Sequence, residues 1–279
     1  MSTTAEPGPS APPAGEVLRV CLAQRAAALD PADNLATLDA LSATLARVAP
    51  PDLVVLPEAF ARDFGPPGSD VSADAEDLDG PFATRLHEIA RAHDTVVVGG
   101  MFERSPDAQR PWNTLVVARP AAPPGGPEAY RKIHLYDSFG YRESDRLSAG
   151  DPTPCVVDVA GFRVGLMTCY DLRFPELARS LVDAGAEVIV VPAAWVAGER
   201  KVHHWRTLLQ ARAIENTAYV VAVAQPAPRY SGHSMAVSPL GDVLVEADDA
   251  DGRTLLAELR RDDLEAARET NPSLANRRL

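Results

Sequence analysis

Glu58, Lys132 and Cys169 are the side chains whose types and placement could do chemistry together. Cys169 stands in VGLMTCYDLRFPEL, where an apolar strand pattern ends at Met167 or Thr168 and a helix pattern starts near Pro175. A strand-to-helix turn lets a thiol face a pocket while backbone N–H groups point outward. Cys21 and Cys155 fall inside apolar strand patterns and read as inert core. A free thiol has a pKa of about 8.5, so only a few per cent is thiolate at neutral pH and a base is needed. His87 and His93 lie on a helix, His203 and His204 at another helix start and His233 at a strand start, and none has an evident claim to that task. No G-x-S-x-G elbow surrounds a serine. Glu58 follows the buried Val-Val-Leu-Pro run, which puts a carboxylate at the mouth of a sheet. Lys132, in YRKIHLYD, ends another strand. Taken one at a time, Glu58 reads equally as a solvated strand-end acid and Lys132 as a surface hairpin charge.

Together the three residues form a workable set. The glutamate takes the thiol proton, the thiolate attacks a carbonyl carbon, and Lys132 with the N–H of Tyr170 stabilises the tetrahedral oxyanion. Protonated Glu58 then gives its proton to departing ammonia, and water activated by the same glutamate hydrolyses the thioester. The lysine count sharpens this reading. Of 27 basic residues, only Lys132 and Lys201 are lysine, so a retained lysine is a candidate for a task needing a compact ammonium on a flexible stem.

The elements that must position these groups follow from the apolar pattern. Strands are expected at 17–23, 52–58, 95–102 and 187–192, with helices near 33–48, 81–93, 203–217 and from about Asp262. TLVVAR and EAYRKI flank a Pro/Gly-rich turn as one hairpin, and CVVDV with FRVGLMT forms another around Gly161. HSMAVS, VLVEA and TLLAELR read as an antiparallel run. Most strands are continuous apolar runs, which implies sheets covered on both faces and an α/β class. LVVLPEAF and VIVVPAAW echo each other, which suits two similar α/β halves packed as one sandwich and equally suits chance. Residues 1–15, rich in Pro, Ala, Gly and Ser, read as a disordered tail before a domain spanning 16–279.

Composition narrows the classes further. A net charge of −12 with scattered arginines offers no footprint for nucleic acid or an anionic membrane. Three cysteines without a C-x-x-C argue against a disulfide framework or structural zinc. No apolar run approaches membrane-spanning length, and the N-terminus lacks a secretory pattern, so a cytoplasmic protein is expected.

LPEAF around Glu58, YRKIHLYD around Lys132 and CYDLRFPELAR around Cys169 resemble the three signature blocks of the nitrilase, or carbon–nitrogen hydrolase, superfamily. Further blocks match in order: WNT at Trp112 to Thr114, HW…L…ARAIEN at 204–216 and GHSMAVSPLGDVL at 232–244. The resemblance covers roughly residues 17 to 277. It implies a four-layer αββα sandwich of two mixed sheets covered by helices, a Glu–Lys–Cys triad, a homodimer or larger assembly, and no metal or organic cofactor. It also implies a second glutamate that orients the lysine, a place that Glu143 fills. The Nit-type amidases (omega-amidase and deaminated-glutathione amidase) look most alike. Nitrilases usually carry Trp-Glu after the cysteine, whereas Tyr170 and Asp171 stand here, which favours amides over nitriles. Arg173 matches the position where relatives with acidic substrates hold the carboxylate; its alternative is a salt bridge to Glu176 or Asp171. Phe60, Tyr136 and Trp195 are expected to line the pocket, with plain core packing as the alternative.

The chain departs from that pattern in two loops. SFGYR, between Asp137 and Glu143, is shorter than in the Nit-type amidases, and WVAGERKVHHW differs from their corresponding segment. Lys201, in the second, reads as solvent-facing, with contact to an acidic substrate as the alternative. The terminal ETNPSLANRRL is a candidate for crossing to a neighbouring copy. The expected activity is hydrolysis of a small carboxylate-bearing linear amide to acid and ammonia. The alternatives are an N-carbamoyl amino acid hydrolase, which would also release carbon dioxide, and a silent interaction protein keeping the same fold.

Overall fold

The computed structural model describes residues 16–121, 128–138 and 140–278. The expected disordered tail at 1–15, most of the Pro/Gly-rich turn and Phe139 of SFGYR lie outside the described residues.

The first half of the chain runs β1 (Val17–Gln24), α1 (Pro31–Leu45), β2 (Leu53–Val55), α2 (Pro81–His93), β3 (Val96–Glu103), β4 (Trp112–Ala118) and β5 (Glu128–Arg131). A small ribbon, β6 (Asp137–Ser138) with β7 (Tyr141–Arg142), precedes a 3-10 turn at Glu143–Asp145. The second half runs β8 (Val156–Val159), β9 (Phe162–Leu166), α3 (Pro175–Asp183), β10 (Val188–Ala193), α4 (Lys201–Asn216), β11 (Tyr219–Ala224), β12 (Met235–Val237) and β13 (Val243–Glu246). β14 (Arg253–Arg260) and α5 (Arg261–Thr270) close the chain.

Two six-stranded sheets result, ordered β14-β1-β2-β3-β4-β5 and β13-β12-β11-β10-β9-β8. In each, three central strands are parallel and the flanking ones antiparallel. Alternate residues explain the layering, because successive side chains of a strand point to opposite faces. Val20, Leu22, Val55 and Val98 of the first sheet meet Val164, Val190 and Val221 of the second in one core. Cys21, Val54 and Val97 face the other way, onto Leu38 and Leu41 of α1 and Leu86 of α2. Ile189, Val191 and Val220 face Leu177 and Leu181 of α3 and Leu209 of α4. The order helices, sheet, sheet, helices is the expected four-layer α/β sandwich.

Local signals set the helix starts. Pro31 and Pro81 occupy first turns, where a missing N–H costs nothing, and the Asp30 carboxylate accepts from Ala32 N at 2.9 Å as an N-cap. TLLAELR departs from expectation: β14 does not continue the β12–β13 run but crosses to the other sheet and pairs with β1 along its whole length. Its alternating burial is what an edge strand with one covered face shows, and the pattern alone does not say which sheet it joins. In the C-terminal segment, Leu274 packs against the α3–α4 layer and Arg277 pairs with Asp183 of α3.

Candidate active site

The site lies where the ends of β2, β5, β9 and β10 converge. Beyond β2, Leu56 N still bonds Val98 O and Gly100 N bonds Pro57 O, so Glu58 is held against β3. That approach needs glycine: a Cβ on Gly100 would stand 2.5 Å from Ala59 N and 2.8 Å from Glu58 Cα. Lys132 continues past β5 with its N–H on Asn113 O and its carbonyl accepting from Gly150 N, both at 2.8 Å. Cys169 opens a five-residue 3-10 turn after β9 with φ +46°, a left-handed backbone that costs a non-glycine residue about 1–2 kcal/mol. Asp171 holds the turn there. Its fully buried carboxylate accepts from Thr168 N at 2.9 Å, Tyr130 Oη at 2.6 Å and His134 N at 3.0 Å, with His134 Nδ1 at 2.8 Å.

Lys132, Glu58 and Glu143 are 2%, 1% and 2% exposed and form one hydrogen-bonded set. Lys132 Nζ donates to Glu58 Oε1 at 2.9 Å and to Glu143 Oε2 and Oε1 at 3.0 and 3.1 Å. Glu58 Oε1 also accepts from Asn113 Nδ2 at 2.7 Å and its Oε2 from Ala194 N at 2.6 Å. Glu143 Oε2 accepts from Tyr136 N at 2.5 Å. Glu58 and Cys169 line the same pocket, close enough for the carboxylate to raise the thiol pKa. Buried charges this well paired avoid most of the cost of an isolated ion.

Burial and the neighbouring Glu58 charge push the Cys169 thiol well above its usual range, overriding Lys132. Burial alone would lower Lys132, but the Glu143 and Glu58 carboxylates overcome it and hold the ammonium far above its ordinary value. Burial raises Glu143, Lys132 opposes that, and Glu58 adds to it. Moving the thiol proton to Glu58 would leave the net charge of the set unchanged, so the arrangement can activate the thiol by a proton transfer inside it, without net ionisation of a buried site.

Above this set opens a pocket of about 320 Å³ lined by Tyr136, Tyr170, Arg173 and Trp195 among others. Tyr136 meets Tyr170 edge-on at 4.9 Å, and the Arg173 guanidinium lies 4.9 Å over the Trp195 ring. The alternative partners of Arg173 are placed elsewhere: Asp171 is saturated by the turn and Glu176 is exposed. Tyr170 sits in the first turn of the 3-10 segment, where N–H groups lack intrahelical acceptors.

Two expectations need correction. Phe60 does not line the pocket; it is fully buried under the helix layer and packs 6.4 Å from Phe82. The chain turns at Ala59, at φ +51°, between the acid that faces the site and the phenylalanine that faces the helices. Lys201 does not face solvent; it is half-buried on the pocket wall, 5.4 Å from the Trp195 ring and 5.5 Å from that of Tyr136. Sequence reading also passes over Asn113, His134 and the anchoring by Asp171. A polar residue inside the otherwise apolar β4 run was the available signal for Asn113. The echo between LVVLPEAF and VIVVPAAW gains a physical content, since the two strand ends meet when Ala194 N bonds Glu58.

Residues 19–269 match the family model for carbon–nitrogen hydrolases. The chain belongs to the carbon–nitrogen hydrolase family. It is 38% identical over 273 residues to a hydrolase of Mycobacterium tuberculosis, covering 93% of this chain and 95% of that one. It is 41% identical over 229 residues to the deaminated glutathione amidase of Escherichia coli O157:H7, covering 81% and 84%. Among solved structures, the carbon–nitrogen hydrolase superfamily protein XC1258 of Xanthomonas campestris, which carries an arsenic adduct in its active site, superposes with a TM-score of 0.83 at 29% identity, covering 94% and 98%. For this carbon–nitrogen hydrolase, the nitrilase-type sandwich and the order of the signature blocks agree with the resemblance seen in the sequence.

Proposed function

We propose that this carbon–nitrogen hydrolase is an amidase that cleaves the C–N bond of a small, carboxylate-bearing linear amide through a Cys169 thioester. The observation that carries the reading is the closed Glu58–Lys132–Glu143 set, which shares with Cys169 a pocket walled by Arg173. The E. coli relative, a deaminated glutathione amidase, accords with amide chemistry.

Each step keeps its protons accounted for. Glu58 takes the thiol proton as sulfur bonds the carbonyl carbon, and the carbonyl electron pair becomes an oxyanion facing the Lys132 ammonium and the Tyr170 N–H. The oxyanion collapses, the C–N bond breaks, and protonated Glu58 gives its proton to the departing nitrogen, so ammonia leaves and a thioester remains. Glu58 then takes a proton from water as hydroxide attacks the thioester. Collapse expels the sulfur, which recovers its proton from Glu58, and the acid leaves. Glu143 holds the ammonium in place throughout, and Arg173 takes the carboxylate of the substrate bidentately.

The fold supports one hydrolase domain over 16–279. No helix among the described residues is long and apolar enough to cross a membrane, which is compatible with a cytoplasmic place. A homodimer or larger assembly rests on the family resemblance. The test is ammonia release across monoamides of dicarboxylic acids and neutral aliphatic amides, with intact-mass detection of the acyl-enzyme. Wild type should release ammonia and Cys169→Ala should release none; turnover retained by Cys169→Ala overturns the reading.

A further inference from the structure

Lys201 stands on the pocket wall at the start of α4. It is the first residue of the 16-residue helix α4, where the helix dipole presents its positive end and disfavours a cation. It is half-buried, and burial together with nearby Arg173 lowers the affinity of its amine for a proton. Its ammonium and the Arg173 guanidinium approach the same Trp195 ring, at 5.4 and 4.9 Å. That ring is itself fixed to the helix start, because Trp195 Nε1 donates to the Lys201 carbonyl at 3.0 Å. Arg229, a further cation on the pocket wall besides Lys132, is held by Asp63 and the Gly65 carbonyl. The helix dipole, burial and like charge count against the ammonium while the Trp195 and Tyr136 rings favour it, and an anion bound in the pocket would offset the dipole and the like charge.

We propose that Lys201 and Arg173 together clamp the acid group of the substrate, so that Lys201 sets the preference for amides bearing a carboxylate at the end remote from the scissile bond. This rests on the amidase reading above. Arg173 supplies a planar fork and Lys201 a point charge on the same pocket wall, and a carboxylate held between them would bond both. The aromatic faces of Tyr136 and Trp195 flank the ammonium and exclude water from the contact.

The test compares the monoamide of glutaric acid with valeramide, a neutral amide of equal chain length, in wild type, Lys201→Met and Lys201→Arg, with thermal melts confirming folding. Wild type should prefer the acid-ended amide. Lys201→Met should raise KM for it by about tenfold or more, the scale of one lost charge-assisted contact, with kcat changed far less. The ratio of kcat/KM values for the two amides should fall by the same factor, and Lys201→Arg should restore part of it. A wild-type preference that survives Lys201→Met undiminished, or a loss falling on kcat equally for both amides, overturns the role of Lys201 alone. A wild type that releases ammonia with no preference for the acid overturns the clamp and the carboxylate reading together.

Discussion

Lys132 shows how one buried charge can be made both stable and useful. Its ammonium is shared between two carboxylates, and each of their oxygens accepts at least one hydrogen bond. Glu143 uses both oxygens, one for Lys132 with Tyr136 N and the other for Lys132 with Asn113 Nδ2 at 3.5 Å. Glu143→Gln keeps the shape but turns one acceptor into a donor facing Lys132 or Asn113. Lys132 then leans on Glu58, the group that must be ready to take the thiol proton. The expected outcome is a loss in kcat of about a hundredfold, on the scale of removing one oxyanion donor. The variant should also be less stable by about 1–3 kcal/mol for the buried group left unmatched. Steady-state ammonia release and a denaturant melt check both; full activity would show that Glu143 does not orient the lysine.

At the scale of elements, the nucleophile turn and the lysine segment are tied by Asp171, which bonds Thr168 on one side and Tyr130 and His134 on either flank of Lys132. His134 adds stacking on Phe174, with ring centroids 3.7 Å apart, so both ends of the turn are braced. Asp171 touches no reacting atom in the proposed chemistry and acts as a positioning residue. Asp171→Asn presents an amide donor where two donors already point, unpairing part of the set. Its kcat should fall while KM stays within about threefold, because a displaced nucleophile costs the chemical step more than binding. Equal losses in kcat and in substrate affinity would place Asp171 in the pocket instead. The same close fit appears at Gly100, where a Cβ would collide with the backbone carrying Glu58.

The whole molecule keeps its thiols out of reach of ordinary pH. Burial pushes Cys21 and Cys155 from 9.0 up to about 11, and Cys169 lies well above 9.0 as well. As pH rises past about 9, the unfolded chain loses thiol protons that the folded chain keeps, so the folded state binds more protons and its stability falls with pH. The stability from these groups is complete below the unfolded value near 9 and is lost as pH climbs through about 11. Lys132, raised in the fold, acts in the same direction. Melting temperature should therefore decline from pH 9 to 11, and the folded protein should show no thiolate absorbance step between pH 7 and 9. A flat stability profile, or a thiolate step near pH 8, would contradict this.

Local chemistry was legible in the sequence: continuous apolar runs marked the strands, Pro81 a helix start, and the strand-end positions of Glu58, Lys132 and Cys169 the candidate reacting groups. Those signals are carried by neighbours in the chain, and they need no knowledge of what packs above. Glu143 entered through resemblance to a family, since a loop glutamate alone has no local mark. What only tertiary structure decided is where side chains separated by long stretches of sequence come to lie. Phe60 and Trp195 end echoing strands, yet one is buried under helices and the other walls the pocket. β14 carries a pattern that would serve either sheet and joins β1. Lys201, which reads as a solvated loop charge, faces the pocket because the α4 start is fixed to Trp195. For Phe60 and β14 the deciding contact joins segments far apart in sequence, and hydrophobic periodicity records that a residue is buried without recording against what.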